Sequence, residues 1–208
     1  MDAAAAPRVV FLGTSLTAGL GLLRSQDTYV ARLAELADSA GLSIRVVNAG
    51  VSGDTSAGGR ARLSWILRDP VDVLVVELGA NDGLRGLSPR ALEDNLRAIV
   101  RETRSRYPEA VVMIAEMKAP PNLGERYMQA FEAVFPRVAR EEGAVLIPFL
   151  LEGVAGNPDL NQGDGIHPTP KGHRIMAHTV WRSLEPWVRN WYAHHRNHPS
   201  PDSLDGTS

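Results

Sequence analysis

Four places in the chain carry residue types that together could break an acyl bond. Ser15 stands in VVFLGTSLTAG (residues 9–19), where an apolar run breaks at Gly13 and delivers a hydroxyl. Gly53 lies in NAGVSGDTSAGG (48–59), Asn81 in ELGANDGLRG (77–86), and Asp164 and His167 in QGDGIHPTPKGH (162–173). A serine hydroxyl is a weak nucleophile until a neighbouring base takes its proton. An aspartate three residues before a histidine can hold one imidazole nitrogen and leave the other free for that proton. A glycine N–H and an asparagine amide are donors of the kind that hold a developing oxyanion.

Taken singly, each signal has an ordinary explanation. Serine is a preferred helix cap, and Asn81-Asp82 reads as a turn, since both residues tolerate left-handed geometry. His167 alone is a loop histidine or half of a metal site. A metal is not expected, because no second histidine or carboxylate cluster stands at ligand spacing. The chain has no cysteine, which excludes disulfides, thiolate catalysis and cysteine-ligated zinc. The joint placement of the four sites has to decide.

Strand candidates are residues 8–13, 44–48, 71–78, 111–117 and 144–149, mostly continuous Val/Ile/Leu runs that suit strands covered on both faces. Helical stripes lie between them. Tyr29, Val30, Leu33, Leu36 and Ala37 form one, with Gly41 as its stop. Leu92, Leu96, Ile99 and Val100 follow the cap Ser88 and first helical Pro89. A stripe from Tyr127 to Val138 is expected to kink at Pro136, and a last helix to run from Pro170 to about Tyr192. Alternating β and α elements predict an α/β domain with a parallel five-stranded sheet wrapped on both sides by helices. Ligands of such sheets bind at the carboxyl ends of the strands. Ser15, Gly53 and Asn81 follow the first three strands, and Asp164 and His167 follow the last.

A length of 208 residues and a net charge of −2 fit one ordinary globular domain with no electrostatic footprint for nucleic acid. RETRSR (101–106) reads as a solvated helix face. No apolar run approaches the ~20 residues of a membrane span, so no stable membrane insertion is expected. The start MDAAAAPRVV lacks the pattern of a signal peptide. Its alanines are either the remnant of a trimmed signal or a plain disordered end. The compartment therefore stays open: periplasmic or secreted if a signal was removed, otherwise cytoplasmic. Residues 1–7 are expected to be flexible, 8–193 to form the domain, and 194–208 to be a disordered tail. His194, His195 and His198 could bind metal weakly, though a solvated tail fits them better. No cofactor and no metal are expected, and the chain is expected to act as a monomer or weak homo-oligomer.

The order Ser, Gly, Asn, His, with Asp three before His, resembles the SGNH hydrolases, also called the GDSL esterase/lipase family. The chain is most similar to the bacterial branch of periplasmic acyl-CoA thioesterases, lysophospholipases and arylesterases. The resemblance runs from Arg8 to about Trp187 and is carried most by SGDTS (52–56), ELGANDGLRG and DGIHP (164–168). It implies a flavodoxin-like three-layer α/β/α fold, with Ser15 as nucleophile, His167 as general base and Asp164 as its orienting acid. The implied oxyanion donors are the backbone N–H of Ser15 and of Gly53 and the side chain of Asn81. The implied substrates are carboxylic esters or thioesters of short- to medium-chain acyl groups, cleaved through an acyl-enzyme. Gly79, Leu84, Leu87 and Ile166 are the candidate substrate contacts, although Leu84 and Leu87 read equally well as packing beneath their loop.

One position departs from the family. Its first block reads Gly-Asp-Ser-Leu, and here Thr14 replaces the aspartate. The Thr14 side chain is expected to point away from the acyl group and to bear on the support of the serine turn, and Thr14→Asp to be neutral for the fold with a modest effect on rate. Two other readings remain: a carbohydrate O-acetyl esterase, and a binding module that keeps the fold without the reaction. An α/β-hydrolase is excluded, because Gly13-Thr14-Ser15-Leu16-Thr17 lacks the closing glycine of a nucleophile elbow.

Overall fold

Val, Ile and Leu runs without polar alternation have no solvent face to offer, and the computed structural model, which describes residues 6–197, buries the central runs 9–12, 73–76 and 112–115 between two layers of helices, while the edge runs at 46–47 and 145–146 stay partly exposed. β1 (Arg8–Gly13), β2 (Arg45–Gly50), β3 (Val73–Glu77), β4 (Val111–Ala115) and β5 (Val145–Ile147) form one all-parallel sheet in the order β2-β1-β3-β4-β5. β1 and β3 are central, and every residue from Val9 to Gly13 and from Val73 to Glu77 is buried. The chain steps from β1 to β2 in one direction, then crosses back to β3 on the other side of β1. In a flavodoxin-like sheet the ligand crevice opens where the strand order reverses, here between the carboxyl ends of β1 and β3.

Nine α-helices lie among the described residues, α1 (Ser15–Ala18), α2 (Tyr29–Ser39), α3 (Ser56–Ala61), α4 (Leu63–Ile66), α5 (Ala80–Leu84), α6 (Pro89–Arg106), α7 (Glu125–Glu132), α8 (Val134–Glu141) and α9 (Pro170–Asn197), with short 3-10 turns at Ser25–Asp27 and Pro121–Leu123. α2 packs on α9 across one face of the sheet, while α3, α6 and α8 pack in a row across the other. Arg97 of α6 binds Glu93 of its own helix and Glu141 and Glu142 at the end of α8, a cluster that ties these helices at their outer edge.

Three expectations need correction. The predicted kink at Pro136 is instead a break at Ala133, and Pro136 sits in the first turn of α8, where a missing N–H costs no helix bond. α9 passes Tyr192 and continues to Asn197. There His194 and His195 donate their Nδ1–H to the carbonyls of Asn190 and Trp191, and the His195 ring stacks on Trp191. The start of the expected disordered tail is thus helical, and its remainder, His198 included, lies outside the described residues. Ala6 and Pro7 are also built in. Ala6 is buried, and Arg45 donates its Nε–H to the Ala6 carbonyl and its backbone N–H to that of Pro7. Residues 1–5 lie outside the described residues.

α2 and α9 are joined by an unusual cap. Thr28 accepts the Ala31 N–H, and the buried His173 of α9 accepts the Tyr29 N–H on Nδ1 at 3.1 Å while its ring stacks on Tyr29. A protonated imidazole could not accept, and its charge would oppose the positive end of α2. Burial pushes the His173 imidazole down to about 4 from an ordinary 6.5, against the pull of Asp27. Because the folded value is the lower one, stability is complete above the unfolded value of about 6.5 and is lost as the pH falls toward about 4, by at most ~3 kcal/mol. Melting temperatures between pH 7.5 and pH 4.5 should therefore fall more steeply in the wild type than in His173→Gln, which can accept but cannot titrate. Equal slopes would remove His173 from the account.

Candidate active site

Ser15 opens α1 directly after β1, and Gly50 at the end of β2 lets the two pack closely, since a Cβ there would collide with the backbone at Thr17 and Ala18. Asn48 reinforces the join by donating its amide to the Thr17 carbonyl at 2.6 Å. Ser15 Oγ lies 2.9 Å from His167 Nε2, although the two residues are 152 apart in sequence. On the other side of the ring, Nδ1 lies 2.6 Å from Asp164 Oδ2. Asp164 Oδ1 accepts the N–H groups of Ile166 and His167, both at 2.9 Å. The imidazole hydrogen bond and these two N–H groups hold the Asp164 carboxyl well below the usual carboxylate range. It therefore stays ionised and keeps the proton of the neutral imidazole on Nδ1, which leaves Nε2 as the acceptor facing the serine.

The loop that carries both residues is tied at its base. Asn161 pairs with Pro168 in an antiparallel bridge, and the Gln162 N–H donates to the His167 carbonyl at 2.7 Å. The Gln162 side-chain amide reaches the carbonyls of Leu20, at 2.8 Å, and Pro168, at 3.0 Å. One glutamine thus fastens the histidine loop to the segment that follows the serine helix.

Ser15, Gly53, Asn81 and His167 line one pocket of about 270 Å³ at the β1/β3 switch point. Among the described residues, neither the Ser15 nor the Gly53 backbone N–H has a hydrogen-bond partner. Gly53 adopts φ of +85°, which a side chain would resist, and so turns its peptide on the rim of the site. Asn81 donates its amide to the Asp54 carbonyl at 2.9 Å, which fixes the group and leaves its second N–H unspent. The buried Asp82 accepts the Ser56 N–H at 2.8 Å and the Ser56 hydroxyl at 2.6 Å, locking the Asn81 loop to the Gly53 loop.

Of the candidate substrate contacts, Leu84 and Ile166 line the pocket and are about half exposed, at 54% and 51%. Gly79 does not line it, and a Cβ at that position would meet Phe135 and Leu92 in the core. Leu87 stands outside the wall, its carbonyl bonded by the Tyr127 hydroxyl. Leu16, Leu20, Ala80 and Leu151 supply more of the wall, beside Thr14 and Ser52, and sequence reasoning missed all four of these apolar residues. Thr14 is not an idle position either. Its side chain is buried and donates to Glu77 at 2.9 Å, so an aspartate there would set two carboxylates within hydrogen-bond reach and could not be neutral unless they shared a proton. A larger hollow of about 560 Å³, walled by Tyr107, Trp187 and Trp191, lies at the opposite ends of the strands, and no nucleophile–base pair lines it. Among the described residues no cluster of three or more His, Cys, Asp or Glu is placed to hold a metal ion. No helix among them is long and apolar enough to cross a membrane.

A serine hydroxyl hydrogen-bonded to an imidazole thus stands at the carboxyl edge of a flavodoxin-like sheet. The profile of the GDSL-like lipase/acylhydrolase family matches residues 11–175, and the chain belongs to that family. It is 44% identical to esterase TesA of Pseudomonas aeruginosa over 88% of this chain and 90% of the relative. It is 40% identical to thioesterase 1/protease 1/lysophospholipase L1 of Escherichia coli, over 90% and 88% respectively. Among solved structures, psychrotrophic esterase EstA from Pseudoalteromonas sp., inhibited by monoethylphosphonate, matches with a TM-score of 0.81 at 32% identity, covering 88% of this chain and 99% of that one. The chain is an enzyme of this esterase class.

Proposed function

We propose that the chain hydrolyses carboxylic esters or thioesters of short- to medium-chain acyl groups through an acyl-enzyme on Ser15. The contact of 2.9 Å between Ser15 Oγ and His167 Nε2 carries the reading. Oγ attacks the acyl carbon while Nε2 takes its proton, and Asp164 steadies the imidazolium that forms. The carbonyl oxygen becomes an oxyanion held by the N–H groups of Ser15 and Gly53 and the amide of Asn81. Collapse of this intermediate breaks the ester or thioester bond, and His167 returns the proton to the departing alcohol or thiol. Water, activated by the same imidazole, then releases the acid and frees Ser15. All of these groups come from one chain, so the reading needs no second copy.

The wall supports the acyl length proposed. Leu16, Leu20, Leu84, Leu151 and Ile166 give the pocket an apolar lining, but its volume of about 270 Å³ leaves little room for a long chain. A fluorophosphonate probe should label Ser15, the adduct being located by peptide mass. With nitrophenyl esters and acyl-CoAs from acetyl to palmitoyl, kcat/KM should peak among the shorter chains. An unlabelled Ser15 would defeat the nucleophile assignment, and a profile still rising at palmitoyl would defeat the length assignment.

A further inference from the structure

β3 ends on a residue out of keeping with its pattern. Val73 to Val76 suit a strand covered on both faces, yet the next residue, Glu77, is a carboxylate with no exposed surface. Among the described residues no basic side chain pairs with it. Its partners all belong to the turn that carries Ser15. Glu77 Oε2 accepts the Thr14 N–H at 2.8 Å, the Thr17 N–H at 3.3 Å and the Thr17 hydroxyl at 2.8 Å. The Thr14 hydroxyl donates to Oε1 at 2.9 Å. Behind these, the Tyr29 hydroxyl of α2 lies 2.8 Å from Thr17 Oγ1 and donates to it, since the Thr17 proton is committed to Glu77.

This arrangement divides the donors of a single turn. The N–H groups at a helix start lack partners within the helix. The cap residue of α1, Thr14, does not supply a side-chain acceptor. Glu77 does so from the neighbouring strand, drawing the N–H groups of Thr14 and Thr17 toward the core. The Ser15 N–H between them stays unpaired and borders the pocket. Gly13 makes room for the clamp, because a Cβ there would collide with the Thr17 hydroxyl and the Glu77 carboxylate.

We propose that Glu77 is a positioning residue for the reaction at Ser15: it clamps the serine turn from inside the sheet, keeping the hydroxyl within reach of His167 and the Ser15 N–H aimed at the oxyanion. The proposal rests on the reading of Ser15 as nucleophile. Burial pushes the Glu77 carboxyl above its usual range while the converging donors pull it down. Thr14 suits either state, because a hydroxyl can donate to the anion or accept from the acid.

The test measures kcat, KM and the rate at which a fluorophosphonate labels Ser15 in folded protein. Glu77→Ala leaves the two N–H groups without an acceptor, and both kcat and the labelling rate should fall ~10²-fold with KM little changed. Glu77→Gln can place its carbonyl oxygen at the Oε2 position and offer its NH₂ to Thr14 Oγ1, and should restore most of the lost rate. Should Glu77→Ala fail to fold, Thr14→Val and Thr17→Val each remove one donor to the clamp at nearly constant shape, and each should slow labelling about tenfold. Folded Ala and Val variants labelled at the wild-type rate, with only a lower melting temperature, would overturn the proposal and leave Ser15 as nucleophile. A wild-type protein left unlabelled at Ser15 would overturn that reading and the proposal together.

Discussion

Ser15→Ala should fold as the wild type does and lose ester hydrolysis by a factor of about 10⁴–10⁶. The side chain is only partly buried, and its hydroxyl makes a single side-chain hydrogen bond, to His167, so its removal costs the fold little. Its loss from the chemistry is complete, because no other hydroxyl in the pocket wall is hydrogen-bonded to His167. His167→Ala should be impaired on the same scale, since an unassisted hydroxyl is a poor nucleophile. Nucleophile and base act as one unit, so the double variant should be scarcely worse than either single one. Circular dichroism and steady-state rates with a short nitrophenyl ester check both parts. A Ser15→Ala protein that kept half the wild-type turnover would refute the assignment.

The second large effect is expected at Asn81. A ground-state carbonyl oxygen is weakly basic, and one missing donor hardly weakens binding. Once the serine attacks, the same oxygen carries a charge, and the Asn81 bond strengthens with it. Asn81→Ala should lower kcat ~10²–10³-fold, about 3–4 kcal/mol, with KM nearly unchanged. The bond of 2.9 Å to the Asp54 carbonyl makes this sharper, since an amide already held by one N–H loses no freedom in offering the other. Its neighbour Asp82 is the natural contrast, being buried and bonded to Ser56 rather than facing the pocket. If folded Asn81→Ala kept its kcat and lost only thermal stability, Asn81 would be a turn residue and the oxyanion donor would lie elsewhere.

The sequence made the site legible because each of its parts immediately follows an element whose period is plain. Ser15 ends the first apolar run and Asn81 the third, and a parallel sheet gathers such ends at one edge. Asp164 and His167 meet because three residues of loop suffice to join them. The partners of Glu77 were hidden. The expected strand 71–78 already contains Glu77, but nothing local says what a carboxylate inside a covered strand binds, and only the packing of the serine turn against β3 supplies its partners. The partner of Thr14 was hidden as well, since it lies 63 residues away. Leu20 and Leu151 come from irregular segments, where no periodicity tells which way a side chain turns. The end of α9 turned on histidines whose polarity suggested solvent while their ring nitrogens were bonding the helix's own carbonyls.

Asp164 and His167 share one short loop, moored at the Asn161–Pro168 bridge and by the Gln162 amide to the carbonyls of Leu20 and Pro168. A change that shifted this loop as a whole would open the contact to Ser15 and leave the contact between carboxylate and imidazole in place. On the proposed reading the acid and the base thus form one part and the serine turn the other, and the contact between Ser15 Oγ and His167 Nε2 is the seam at which they meet.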